Sequence, residues 1–224
     1  MYRQRAARRT VQDFASSGDA AALRRELAAM SAEQKDYAVN NIGSGYGTPL
    51  CVACEAGHLD CVEVLLEHGS QVNRSSHSGL SPLHAAASAG AVLIIDLLLD
   101  KQAAIDARTD HTGTALHHAA VNGHAAVIDL LGARKADVEA RDGSGCQALH
   151  RAVLANKPTA VEALLSTSAN VNAQDTAGCS PLHYAAATSN TALTSLLLSR
   201  GGNRLLRDVR EHPASRMPAE SRGS

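Results

Sequence analysis

Apolar residues along this 224-residue chain fall into pairs of short blocks, and the pairs repeat. The first block opens at Thr48-Pro-Leu-Cys, Ser81-Pro-Leu-His, Thr114-Ala-Leu-His, Gln147-Ala-Leu-His and Ser180-Pro-Leu-His, and these five starts are evenly spaced. Its third position is always Leu (Leu50, Leu83, Leu116, Leu149, Leu182) and its sixth always Ala (Ala53, Ala86, Ala119, Ala152, Ala185), so that both lie on one face of a helix. The tenth position is Gly57, Gly90, Gly123, Asn156 or Ser189, where the helix must stop and reverse. Gly and Asn tolerate the left-handed backbone this requires, and Ser189 is the weak member. A second apolar block follows at helical spacing and closes on pairs such as Leu65-Leu66 and Leu98-Leu99. Then Val72-Asn73, Ile105-Asp106, Val138-Glu139 and Val171-Asn172 lead into polar, Gly-containing connections. Each period predicts helix, turn, helix and loop, with helices too short to be stable alone.

A fixed period of this length implies a row of units, each burying its face against the next. The residues resemble the ankyrin repeat, whose pattern is TPLH, two small residues, Gly-His, paired Leu and a final Val-Asn. The resemblance implies an all-α solenoid of stacked helix-turn-helix units with projecting hairpin-like loops, the loops and first helices forming a concave face. It covers roughly residues 9–208. A degenerate leading repeat is placed at 9–41 by Phe14-Ala15-Ser16-Ser17-Gly18, with Leu23 and Leu27 in its second helix. The step from Gly18 to Gly57 exceeds the step from Gly57 to Gly90 by six positions, so the connection from Ser31 to Gly47 is expected to be expanded. Ser31 and Gln34 have capping-box spacing and predict an extra helical turn there. Thr194 and Arg204 replace apolar residues of the other units, which suits a capping repeat over 180–208. Residues 1–8 are expected to be a basic extension. Residues 209–224, with Pro213 and Pro218 and without the next unit's Leu or Ala, are expected to be a disordered tail.

Composition narrows the chemistry. One Phe, four Tyr and no Trp leave Ala, Leu, Val and Ile to build the core, which suits thin layers of small side chains. Lys plus Arg (21) nearly balances Asp plus Glu (22), so nothing in the overall charge calls for nucleic acid or an anionic membrane. Arg3, Arg5, Arg8 and Arg9 form a local basic start, read as the solvated beginning of a helix in preference to a nuclear or organellar address. No apolar secretory stretch occurs between Met1 and Asn40, and the run Leu83 to Leu99 is interrupted by His84, Gly90 and Asp96. An intracellular protein of cytoplasm or nucleus is expected.

Cys51, Cys54, His58 and Cys61 lie close enough in sequence to suggest zinc, or redox chemistry at the first two. Their register argues for scaffold duty, because Cys54 and Cys61 fall in core slots. Cys146 and Cys179 share one position in neighbouring repeats. Helices stack roughly 8 to 10 Å apart, beyond the roughly 4.4 to 6.8 Å between Cα atoms that a disulfide accepts. Five free thiols then suit a reducing compartment. His84, His117, His150 and His183 recur once per repeat, and the resemblance implies a structural role, bonded to the Thr or Ser that opens the motif and to loop backbone. The loop Gly43-Ser-Gly-Tyr-Gly47 lacks the Lys of a phosphate cradle, and no nucleophile elbow, dinucleotide fingerprint or paired-carboxylate motif is present. No enzyme, cofactor, metal or small-molecule substrate is expected.

What remains is binding. Side chains on the concave side are free from core duty, and those of the repeats starting at 114, 147 and 180 are the most varied. The candidate patch is Arg108, His111, His118, Arg141, Arg151, Leu154 and Tyr184, since Tyr and Arg are enriched in binding hot spots. It predicts a protein partner with an acidic and apolar segment, held by an adaptor, scaffold or inhibitor. A ubiquitin-ligase substrate receptor is the alternative that the resemblance allows, although no ligase-docking module is expected in the residues after Asp208. A zinc or redox protein using Cys51, Cys54 and Cys61 is the remoter one.

Overall fold

The structure is a computed structural model that describes residues 10–42, 47–209 and 212–214. Among these residues are thirteen α-helices and no strand, divided between Ala104 and Ile105 into two compact units. The basic extension, most of the glycine-rich loop and residues 215–224 lie outside the described residues.

In the first unit, α1 (Val11–Ser17) and α2 (Ala20–Ala28) form the leading pair, and α3 (Ala32–Asn40) follows. Then come α4 (Pro49–Ala56) with α5 (Leu59–Glu67), and α6 (Pro82–Ala89) with α7 (Val92–Asp100). Thr48 shows why a first helix starts where it does. Its hydroxyl accepts from the Cys51 N–H, and Pro49 sits at the first helical position, where no backbone N–H is missed. Leu50, Ala53 and Cys54 then face inward and are fully buried, together with Cys61, Val62 and Leu65 from α5.

The expanded connection takes a different form from the single turn expected. Ser31 and Gln34 do make the capping box, but the helix they open, α3, runs nine residues and ends on the buried pair Val39 and Asn40. Asn40 accepts from the Gln71 N–H at 2.8 Å and donates to the Gly69 carbonyl at 3.2 Å. One period later, Asn73 accepts from Ala104 N–H at 2.8 Å and donates to the Gln102 carbonyl at 3.1 Å. Val39-Asn40 is therefore the closing pair of the leading repeat, and the six extra positions all lie before it. From Asn40 to Thr48 the spacing is the same as from Asn73 to Ser81.

The second unit holds α8 (Ala115–Asn122) with α9 (Ala125–Ala133), α10 (Ala148–Leu154) with α11 (Pro158–Ser166), and α12 (Pro181–Ala187) with α13 (Thr191–Ser199). Leu116, Leu149 and Leu182 and the alanines three positions on are buried, as the period requires. At the reversing position Gly123 has φ +85°, and Asn156 and Ser189 take the same left-handed turn at φ +52°. The α10 and α12 helices are one residue shorter than α8 as a result.

Among the described residues, loop contacts of the repeat type continue past Asp208. Asp208 N–H donates to the His212 carbonyl at 3.1 Å and its carboxylate accepts from His212 N–H at 2.9 Å, matching Asp175 and Cys179 one period earlier. Val209 N–H donates to the Ala177 carbonyl, and Ala214, in the slot of Pro181, is buried. Beside Ala214 a groove of about 400 Å³ opens between α12 and α13, lined among others by Leu182, Ala186, Thr194, Leu198 and Arg204. Ala186 and Thr194 are half-buried there, whereas their counterparts Val153 and Val161 are fully covered.

Candidate interaction surface

Each repeat of the second unit is built around one buried histidine. His117 Nδ1 accepts from the Thr114 backbone N–H at 3.2 Å, which leaves the ring proton on Nε2 to donate to the Cys146 carbonyl at 3.0 Å. His150 does the same with Gln147 N–H, reaching the Ala173 carbonyl at 3.0 Å and the Cys179 carbonyl at 3.2 Å. His183 accepts from Ser180 N–H at 3.0 Å and reaches the His212 carbonyl at 3.2 Å. Each ring thus ties the start of its helix to the next loop. Burial holds the basicity of His117 and His150 below the usual histidine value and so favours the neutral ring.

The residue after each of these histidines braces the preceding loop. His118 Nε2 lies 2.8 Å from the Thr112 hydroxyl. Arg151 contacts the buried Asp142 carboxylate at 2.5 Å and the Ser144 hydroxyl at 3.4 Å, while the other Asp142 oxygen accepts from Ser144 and Cys146 N–H groups. Tyr184 donates its hydroxyl to Asp175 and sets its ring edge-on to His150, centroids 6.1 Å apart. Burial opposes ionisation of Asp175, but bonds from Tyr184, Cys179 and Ala177 outweigh it and keep the carboxyl below its usual range. The Tyr184 phenol is raised, first by burial and then by the same carboxylate.

A second set of side chains links loop to loop. Arg108 donates through Nη2 to the Arg141 carbonyl. Arg141 donates through Nη1 to the Gln174 carbonyl at 2.7 Å and to Gly145 at 2.9 Å. Gln174 donates through Nε2 to the Arg207 carbonyl at 2.9 Å and to Gly178 at 2.6 Å. Positions 108, 141, 174 and 207 are one period apart, so each side chain holds the backbone of its own counterpart.

Arg108, His111 and Arg141 thus lie on exposed parts of the loops, and His118, Arg151 and Tyr184 stand at the helix–loop junction. Leu154 is 40% exposed and has Val121, 41% exposed, and the exposed Ala187 as counterparts on α8 and α12. Asp142 and Asp175 are legible in the sequence as loop side chains but not as the braces of this surface, and Gln174 carries no signal there. An Asp at 142, 175 and 208, one period apart, was the signal available.

The cysteine cluster is dispersed among scaffold contacts. Cys51 Sγ lies 3.8 Å from the Leu80 carbonyl, Cys61 Sγ lies 3.8 Å from the Phe14 carbonyl, and Cys54 is fully buried. His58 Nε2 lies 3.2 Å from the Ser16 carbonyl. All five cysteines are free thiols, and burial raises Cys51, Cys54 and Cys61 and pushes Cys146 up to about 11. Among the described residues no group of three or more His, Cys, Asp or Glu is arranged to hold a metal, and no helix is long and apolar enough to cross a membrane.

Helix pairs recurring along the chain and histidine-tied loops define an all-helical repeat protein. The chain belongs to the ankyrin-repeat family, whose model, described as ankyrin repeats in three copies, matches residues 14–109, 72–142 and 116–208. It is similar to the crystal structure of the human ASB11 ankyrin repeat domain, with 26% identity and a TM-score of 0.83 over 95% of this chain and 93% of that one. The ankyrin repeat domain of Bcl-3, a member of the IkappaB protein family, has 27% identity and a TM-score of 0.78 over 93% and 92%. No curated protein matches the chain in sequence. Ankyrin repeat domains are generally non-catalytic protein–protein interaction modules.

Proposed function

We propose that this chain is a non-catalytic recognition module that holds a partner polypeptide against the first helices and loops of its second unit. The observation that carries this reading is the exposed stripe Val121, Leu154 and Ala187, one apolar residue per repeat, beside loops already braced to their helices. Such a surface is pre-organised, so a ligand need not order it on binding. Apolar side chains of the partner pack on the stripe, and acidic ones meet the loop arginines. The role is that of an adaptor, scaffold or inhibitor. Five free thiols support a reducing compartment, cytoplasm or nucleus.

The test is Val121→Asp with Leu154→Asp. Both positions are exposed, so the thermal midpoint is expected to stay within a few degrees of wild type. Partners identified by proximity labelling and then purified are expected to lose binding to the variant. Retention of every partner at wild-type affinity refutes the placement.

A further inference from the structure

The hydrogen-bond inventory of the loops is lopsided. Asp106 accepts from Asp137 N–H, Asp137 from Glu139 N–H, and Glu139 from both Asn170 N–H and the Gln147 amide. Asp142, Asp175 and Asp208 accept as described above. Asp110 is the one loop carboxylate, among the described residues, without such a bond. The guanidiniums are the reverse case. Each carries five N–H donors. Arg108 uses Nη2 on one carbonyl, and Arg141 uses Nη1 on two. Their acceptors are neutral carbonyls, neither is paired with a carboxylate among the described residues, and both are exposed. Two cations are therefore held in fixed orientation with donors to spare, while α8, α10 and α12 contain no acidic residue.

Resting on the binding face proposed above, we infer that Arg108 and Arg141 read two carboxylates of the partner, spaced to match one repeat. Neighbouring repeats stack roughly 8 to 10 Å apart. An extended chain of the polyproline type rises about 3.1 Å per residue and returns to the same face every third residue, a separation of about 9 Å. The partner is thus an extended segment with acidic residues at positions i and i+3 and an apolar residue nearby for Val121 or Leu154. Each carboxylate takes a charge-assisted bond from a guanidinium whose rotamer is already set, which favours Arg over a mobile cation. Nucleic acid would satisfy the same donors but not the apolar stripe.

Gln174 supplies the control, because it makes with an uncharged amide the two carbonyl bonds that Arg141 makes with a guanidinium. Arg108→Gln and Arg141→Gln therefore keep the loop linkage and remove only the cation. The probes are labelled synthetic peptides with two Glu separated by one to five positions around a Leu, titrated with the full chain by fluorescence anisotropy. The i, i+3 peptide is expected to bind about tenfold tighter than the others, and each Arg→Gln variant to lose about tenfold on that peptide with an unchanged thermal midpoint. Equal binding at all spacings, no peptide binding, indifference to both Arg→Gln variants, or tighter binding of a single-stranded RNA homopolymer overturns the inference. If Leu154→Asp abolishes binding while the Arg→Gln variants do not, the binding face stands and the carboxylate reading falls. If none of these substitutions matters, both fall.

Discussion

Asp142 offers the most direct measurement of how the loops of the second unit are held. Its side chain is fully buried, and one oxygen accepts from Ser144 N–H at 2.8 Å and Cys146 N–H at 3.1 Å, while the other meets Arg151 at 2.5 Å. Asp142→Asn keeps the first oxygen and turns an N–H donor against the Arg151 donors. Removing one partner of a buried ion pair costs about 3 to 5 kcal/mol. Arg151 is 30% exposed and can swing toward water, so the loss discounts to roughly 2 kcal/mol. Asp142→Ala also strands two backbone N–H groups, at roughly 1 to 3 kcal/mol each, and is expected to be worse by that margin. Arg151→Met leaves a buried carboxylate with its two N–H bonds and is expected to cost about as much as Asp142→Asn. Urea titration of the two single variants and their combination gives the coupling, expected at about 1 to 2 kcal/mol. If the two substitutions add without coupling, or Asp142→Asn is as stable as wild type, the brace is not an energetic feature and Arg151 is simply a solvated residue.

Four further outcomes follow from the same contacts. His117 and His150 have folded pKa values below the usual 6.5, so the unfolded chain binds more protons as pH falls through that value. Their stabilising contribution is complete above pH 6.5 and lost below it; a urea midpoint that does not fall on acidification from neutral pH contradicts this. Cys51, Cys54, Cys61 and Cys146 carry raised thiol pKa values and are expected to react with a thiol reagent at neutral pH only as fast as the protein opens, so prompt labelling of Cys146 would refute its assignment. Asn40→Ala removes bonds to Gln71 and Gly69 at a buried position and is expected to cost about 1 to 3 kcal/mol in urea unfolding. Ser189→Gly relieves a left-handed backbone at φ +52° and is expected to stabilise by about 1 kcal/mol, unless the melting temperature falls.

The period made the fold legible because Leu, Ala and Gly recur at positions where only burial or a left-handed turn satisfies them. The same register identified the histidines as scaffold. The leading repeat was harder to place, since Val39-Asn40 is displaced by six positions and a register of constant step passes over it. A missing Leu and Ala hide the contacts of Asp208, Val209 and His212 from a sequence register, because these rest on one carboxylate and on backbone geometry, which need neither. For the proposed patch, residue type was visible and commitment to other contacts was not. Arg151 and Tyr184 look like hot-spot residues in any sequence, and only coordinates reveal the buried carboxylates that occupy them. Leu154 and Val121 carry no motif, because exposure of an apolar side chain leaves no mark on the period.

The joints made by Asn40, Asn73 and Asn172 suggest how such a chain can change length. Each asparagine clasps backbone groups 29 and 31 residues ahead, as Asn172 does with Gly201 and Asn203. An insertion anywhere within that stretch pulls the clasp out of step, so repeats are best gained or lost whole. The extra positions that build α3 escape the constraint because they enter upstream of Asn40, outside the span its clasp measures. New helices or linkers can be grafted upstream of Asn40, and the repeats after it would not have to be retuned.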